Sequence, residues 1–333
     1  MPVKGLQDIG EFGLIAKIRN WMDTSRADVV QGIGDDVAVI EIGGKTLLIT
    51  TDILIEGIHF ERSWTDPFRL GEKTLAVNLS DIAAMGGIPK HFLISLGLPK
   101  TLPLSFVSLF YRGLKKMANR FQVDLVGGDT SLSQKIIINI CLIGEGKKGD
   151  LLFRNGAEVG DNLYVSGTLG DAALGLKILQ DKGAKRKSKG LIDKHLSPNP
   201  RIELGQALAR KQIASAMIDV SDGLLSDTRH IIEESKVGAR IWENRIPLSS
   251  LYRRWVRTYS KDPYRIALSG GEDYELLFTA SPKRKAGILS LARSLNVPIT
   301  RVGEILPEKE GFHVIGKKGK KIPQRRLGFD HFK

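Results

Sequence analysis

Residues 214–234 read ASAMIDVSDGLLSDTRHIIEE, and the spacing of the apolar positions changes halfway along. Residues 214–220 form a short apolar run of strand length. From Asp222 to Glu234, Leu224, Leu225, Thr228, Ile231 and Ile232 recur at helical spacing. The stretch therefore predicts a strand running into a helix, with Ser221, Asp222 and Gly223 at the junction. The pattern recurs outward from it. Residues 47–51 and 136–143 read as buried strands, so rich in apolar residues that a sheet with a wet face is not expected. Residues 11–20 have helical spacing, and Leu104–Phe121 is an amphipathic helix with Phe106, Val107, Phe110, Leu114 and Met117 on one stripe. Residues 162–165 predict a strand that enters SGTLGD (166–171) and a helix to about Leu179. Residues 266–269 and 276–279 are expected to be strands around a glycine turn, and 282–295 a helix with proline in its first turn. Alternating strands and helices predict an α/β (α+β) architecture.

The 333 residues are enough for two domains, and the glycine- and charge-rich run 144–149 divides them into 1–148 and 149–333. With 42% hydrophobic and 26% charged residues, the composition is that of a soluble globular protein. Its longest apolar stretch, 136–143, is far short of the roughly 20 residues that span a bilayer, so no membrane association is expected. Lys4, Asp8, Glu11 and Lys17 interrupt the N-terminal segment, which argues against a signal peptide. Cys141 is the only cysteine, which excludes an intrachain disulfide and a cysteine metal cluster and fits a cytoplasmic setting. The net charge of +13 raises the question of nucleic acid. Much of the excess lies in 182–189 and at Lys317, Lys318, Lys320, Lys321, Arg325 and Arg326, with no interleaved aromatic platform. Solvated surface is the expected reading, and no specific nucleic acid is expected. A polyanion-binding protein stays as the non-enzymatic alternative.

Aspartates recur after small or hydroxylated residues at the ends of apolar runs. They are Asp35 and Asp36 after Gly34, Asp52 after Thr50 and Thr51, Asp81 after Ser80, Asp129 after Gly128, and Asp219 and Asp222 around Ser221. Glu272 and Asp273 follow Gly270-Gly271. Each has a structural reading: Asp222 in the first turn of a helix, Asp35 or Asp36 in a turn, the glycine pairs as tight turns. Repetition favours a common purpose. Two unit charges about 4 Å apart repel by roughly 4 kcal/mol at an effective dielectric of 20, so converging carboxylates call for dications. Hard oxygen ligands beside hydroxyls suit Mg²⁺ shared with phosphates. The chain has neither a P-loop GxxxxGK[ST] nor the H-R-D and D-F-G strings of protein kinases.

The strings GEFGLIAKI (10–18), GIGDDVAV (32–39), TTDILIEGIHF (50–60), AVNLSDIAAMGG (76–87), VGGDTS (126–131), IDVSDGLLSD (218–227), LSGGEDYELLFT (268–279) and GFDHF (328–332) together resemble the thiamine-monophosphate kinase family, over practically the whole chain. That family is grouped with aminoimidazole ribonucleotide synthetase and selenophosphate synthetase. The resemblance implies an N-terminal domain whose sheet forms an intersubunit barrel in a homodimer, and a C-terminal α/β domain closing the cleft. It implies Mg²⁺-dependent, in-line transfer from ATP to thiamine phosphate, giving ADP and thiamine diphosphate. By motif, Asp35, Asp36, Thr50, Thr51, Asp52, Asp81, Asp129, Asp219 and Asp222 are the implied metal ligands, with Asp36, Asp52 and Asp129 nearest the chemistry. Gly128, Asp129, Arg154, Ser221 and, more weakly, Tyr111 are the implied ATP contacts. His59, Glu272 and Phe329 are the implied contacts to thiamine phosphate. A strand-end histidine with a structural hydrogen bond stays open for His59. Other members of the wider group stay open as the enzymatic alternative. Cys141 inside a strand speaks against selenophosphate synthetase, and the GFDHF tail against aminoimidazole ribonucleotide synthetase.

Overall fold

A computed structural model describes residues 5–22, 26–147, 149–181, 188–323 and 328–332. The basic run 182–187, together with Arg325 and Arg326, lies outside the described residues.

The first half of the chain builds α1 (Leu6–Trp21), β1 (Val29–Gln31), β2 (Ala38–Ile42), β3 (Lys45–Ile55), α2 (Pro67–Ala84), β4 (Ile88–Leu98), α3 (Leu104–Phe121), β5 (Asp124–Leu132) and β6 (Ile137–Gly146). Its six strands form one sheet in the order β1-β2-β3-β6-β4-β5, antiparallel except for β4 with β5. Helix α2 starts where Asp66 accepts hydrogen bonds from the amides of Phe68 and Arg69, with proline at the first helical position. It packs on one face of the sheet and on α3 at very close range. A Cβ added at Gly71 would meet the Phe110 carbonyl oxygen at 2.0 Å, and one at Gly113 would meet that of Phe68 at 1.8 Å. Most of α2 is buried, polar residues included, so it runs through the interior like a beam.

The second half builds β7 (Asn162–Ser166), α4 (Asp171–Gln180), α5 (Lys189–Leu196), α6 (Ile202–Arg210), β8 (Ala216–Asp219), α7 (Leu224–Ser235), β9 (Gly238–Trp242), α8 (Ser250–Tyr259), α9 (Arg265–Ser269), β10 (Leu276–Ala280), α10 (Lys285–Ser294), β11 (Ile299–Leu306), β12 (Phe312–Ile315) and β13 (Lys321–Ile322). The second sheet has the order β13-β12-β9-β11-β7-β10-β8. One apolar core joins the two halves: Leu79 and Ala83 of α2, Leu204 and Leu208 of α6, and Met217 and Phe278 of the second sheet belong to it. A second core lies under α4, α7 and α8.

Two expectations need correction. Residues 266–269 are helical, because Leu268 and Gly270 donate backwards to the carbonyls of Tyr264 and Ile266, closing the chain on itself. The aspartates are also not all at strand ends. Asp52 and Asp129 sit within β3 and β5, and Asp81 sits on α2. Apolar neighbours mark burial as readily in a helix as in a strand.

The outer face of the first sheet carries exposed apolar side chains, including Ile53 (46% exposed) and Leu93 (38%), and every residue of β5 is exposed. No helix among the described residues is long and apolar enough to cross a membrane.

Candidate active site

The pleat of the first sheet decides which acids can meet. Asp52 is in register with Ile140, Ile94 and Gly128 across four strands, and both isoleucines are buried. Asp52 therefore points to the inner side, beneath α2. There it hydrogen-bonds Asp81, and its backbone amide donates to Asn78 Oδ1 at 3.1 Å. The Thr50 hydroxyl donates to Asp81 at 2.5 Å. Ser80, one residue along α2, donates to Asp219 at the end of β8, at 2.6 Å. Asp36 joins the group, with carboxylate oxygens of Asp36, Asp81 and Asp219 all within 4.8 Å of one another. Four sequence-distant segments thus deliver carboxylates and hydroxyls to one place.

Arg154 is the cation within this group. Its guanidinium lies 2.6 Å from Asp36, and its backbone amide donates to Asp35 at 3.1 Å. One arginine does not balance so many acids. Burial, then Asp36, lifts the Asp35 carboxyl to about 7, and burial lifts Asp52 to about 6. Asp81 and Asp219 are pushed well above the ordinary range by burial and then by their acidic neighbours. Asp36 Oδ2 is fully buried and has no hydrogen-bond partner. Crowded hard oxygens, raised carboxyls and an orphaned buried lone pair are what a site for Mg²⁺-type cations presents.

A second acidic group lies where β8 passes into α7. Asp222, Asp227 and His230 bring ligand atoms within 4.8 Å of one another. Asp227, in the first turn of the helix, accepts the Gly223 amide and so takes the first-turn place that the sequence left open for Asp222. Asp222 is free of it, and burial, then Glu11, lifts its carboxyl to about 7. The tail is tied here as well: the Phe329 amide donates to the Asp222 carbonyl, and the Glu11 amide donates to Asp330.

The residues expected on the acceptor side also lie near one another. His59 Nδ1 accepts the Ile55 amide at 3.0 Å, so the neutral ring carries its proton on Nε2. Its ring lies 5.0 Å from that of His331, which in turn lies 4.8 Å from Phe329. Glu272 and Lys73 are close enough to act on the charge of His59. Burial would raise the Glu272 carboxyl, but the Lys73 ammonium beside it holds it well below the usual range. The GGED turn is pressed onto β8's end, where a Cβ at Gly271 would meet the Ser221 carbonyl oxygen at 2.1 Å.

Some residues stand apart. Asp129 is in register with Ser95, in the row of Asn139 and Ile53, and so on the outer face, opposite to Asp52. Thr51 shares that face, where it accepts from Asn139. Gly128 presses against the Ile94 carbonyl, and Tyr111 packs edge-on against Phe110 at the first core. Reading by motif missed Lys73, Asn78, Ser80, His195, Asp227 and His230. Helical spacing from Lys73 to Asp81 after the Asp66-Pro67 start signal was the clue available for the first three.

Comparison with known proteins gives a consistent result. Models of the AIR synthase related protein family match residues 34–145 (N-terminal domain) and 158–316 (C-terminal domain). The chain is 40% identical to thiamine-monophosphate kinase of Aquifex aeolicus over 94% of its length and 96% of that protein's. It is 42% identical to that of Escherichia coli K12, over 97% and 98%. The solved structure of AaThiL complexed with AMPPCP and TMP superposes with a TM-score of 0.86 at 38% identity, covering 99% of this chain and 100% of that one. Escherichia coli HypE, a hydrogenase maturation protein, superposes at 0.72 with 18% identity over 97% of this chain and 100% of that one, which shows the shared fold alone.

Proposed function

This chain belongs to the thiamine-monophosphate kinase family, and from that premise we propose that it transfers the γ-phosphoryl group of ATP to thiamine phosphate, giving thiamine diphosphate and ADP. The observation that carries the reading is the convergence of Asp36, Asp52, Asp81 and Asp219 around the orphaned oxygen of Asp36. These residues, with Thr50, would hold Mg²⁺, and Asp222 a further ion. Bound there, the metal would supply charge neutralisation for the polyphosphate and its transition state.

The chain's own groups do the rest by position. Arg154 offers a guanidinium to the nucleotide phosphates while pinning Asp35 and Asp36. Ser221 lies between the two acidic groups, at the end of β8. On the acceptor side, His59 presents an Nε2–H donor, Glu272 a carboxylate, and Phe329 an open aromatic face for the rings of thiamine phosphate. The accepting phosphate oxygen is already anionic at neutral pH, so no general base is required. Direct in-line transfer depends on alignment and charge neutralisation.

The outward face gives Asp129 and Thr51 their place in this proposal, while Gly128, in the inner row beside Asp129, would meet the phosphates through its backbone. The apolar residues of the outward face fit a homodimer closed across the first sheet, which would put Asp129 and Thr51 at the subunit junction beside the nucleotide's metal. Division of the chain near residue 148 into a nucleotide-binding, dimerising half and a closing half, and a cytoplasmic setting, belong to the same reading. An ADP-release assay with Mg²⁺, ATP and a panel of acceptors tests it. Turnover with thiamine phosphate above all others is expected. Absence of ADP and thiamine diphosphate with that acceptor would overturn the assignment.

A further inference from the structure

Glu272 is gripped from both sides. Its Oε1 lies 2.8 Å from Lys73 Nζ, and its Oε2 lies 2.8 Å from His195 Nδ1. The three residues come from the turn before β10, from α2 and from α5. Lys73 and His195 are buried, with side chains 2% and 1% exposed, whereas 26% of the Glu272 side chain stays open. One edge of a clamped carboxylate is thus left for a ligand. The backbone at Glu272 has φ 66°, in the left-handed region that a residue with a Cβ rarely adopts. Strain of that kind collects at functional sites. A buried ion pair adds little stability over packed apolar side chains of the same volume. Both features hold one carboxylate in one place.

The charge of the arrangement narrows what it can recognise. Burial drives the His195 imidazole below its usual pKa, so the ring is neutral near pH 7. Its Nδ1 approach to Glu272 is close without an aligned hydrogen bond. Lys73 and Glu272 then cancel, and the group offers acceptor lone pairs rather than net negative charge. A cationic thiazolium gains little from it. An N–H donor gains a fixed partner.

We propose that Lys73 is a positioning residue that fixes the Glu272 carboxylate, with His195 at its other oxygen, as a charge-balanced acceptor for the amino group on the pyrimidine ring of thiamine phosphate. The proposal rests on the reading above that Glu272 meets this substrate. It makes Lys73 and Glu272 the determinants of selection for that amine, because a substrate without it leaves a buried acceptor unpaired.

Steady-state kinetics with thiamine phosphate, and with the analogue carrying an oxo group in place of the amine, test it. The wild-type chain is expected to prefer the amine by roughly tenfold or more in kcat/KM. Lys73→Met is expected to erase most of that preference and raise the KM for thiamine phosphate roughly tenfold, with the KM for ATP unmoved. The double variant Lys73→Met/Glu272→Gln leaves no unpaired buried charge and is expected to behave as Glu272→Gln alone. An unchanged KM for thiamine phosphate in Glu272→Gln would overturn the assignment of Glu272 to the acceptor. A clear loss in Glu272→Gln beside wild-type selectivity in Lys73→Met would overturn the role of Lys73 alone. A further loss in the double variant, or equal losses toward ATP and acceptor, would assign Lys73 to packing and overturn the proposal.

Discussion

Replacing Asp52 by asparagine keeps the shape of the side chain and removes one charge from the crowded carboxylates. In the folded chain Asp52 holds its proton up to about pH 6, against an ordinary 3.8. A shift of about two units corresponds to roughly 3 kcal/mol. The sign follows from proton binding. Between about pH 4 and 6 the folded state holds a proton that the unfolded state has released, so stability falls as pH rises through that window and stays lower above it. The neutral asparagine amide escapes this penalty. Less favourable bonding to Asp81 costs about 1 kcal/mol, leaving a net gain of about 2 kcal/mol at pH 8 without metal. At about 2–4 °C per kcal/mol, Asp52→Asn should melt about 4–8 °C above wild type in EDTA at pH 8, and no higher than wild type at pH 4. Mg²⁺ should narrow or reverse the difference, because the variant has lost a ligand. Turnover should fall by about a hundredfold or more. Thermal melts at both pH values, with EDTA or Mg²⁺, and an ADP-release assay decide the matter. A metal-free variant that melts no higher at pH 8, or one that turns over within a few-fold of wild type, would refute the reasoning.

Further outcomes follow from the same geometry. Arg154→Met leaves Asp35 and Asp36 buried without their cation, so the metal-free melting temperature at pH 8 should drop, by an amount reflecting about 3–5 kcal/mol, and Mg²⁺ should recover part of it. Phe329→Ala should raise the KM for thiamine phosphate about 2- to 30-fold and leave that for ATP alone, since the exposed ring stands beside His331, which in turn stands beside His59. Equal losses for both substrates would assign Phe329 to packing. Light scattering at micromolar concentration should report a dimer, and Ile53→Lys with Leu93→Lys on the outer face should yield monomers. A dimer indifferent to that pair would place the interface elsewhere.

Much of this was legible along the chain, and the exceptions have physical causes. Leu104–Phe121 was found to the residue because one face of α3 is wet, which gives a clean helical stripe. Helix α2 gave no such stripe, since it is buried nearly all round and its polar residues face the site. Residues 266–269 misled because three apolar residues and a serine beside a glycine fit a strand or a short buried helix equally well. The acids themselves stood out, but which of them meet was not readable. That depends on strand register, and a step of one residue sends Asp129 to the opposite face from Asp52.

Helix α2 carries Lys73 toward Glu272, Asn78 toward the Asp52 amide, Ser80 toward Asp219, and Asp81 into the carboxylates. In the proposed reading, the groups that would hold the metals and the lysine that would fix the acceptor-side carboxylate are thus mounted on one caliper. Asp81 lies eight positions after Lys73, which an α-helix converts into about 12 Å along its axis. No swing of the second half about the first can lengthen or shorten that gauge. On that reading, an acceptor whose ring-to-phosphate reach does not match it would not bring its phosphate to the reacting centre while keeping its ring seated. Inserting one residue between positions 73 and 81 would advance the far jaw by about 1.5 Å and turn it by about 100°, enough to put ring and phosphate out of step.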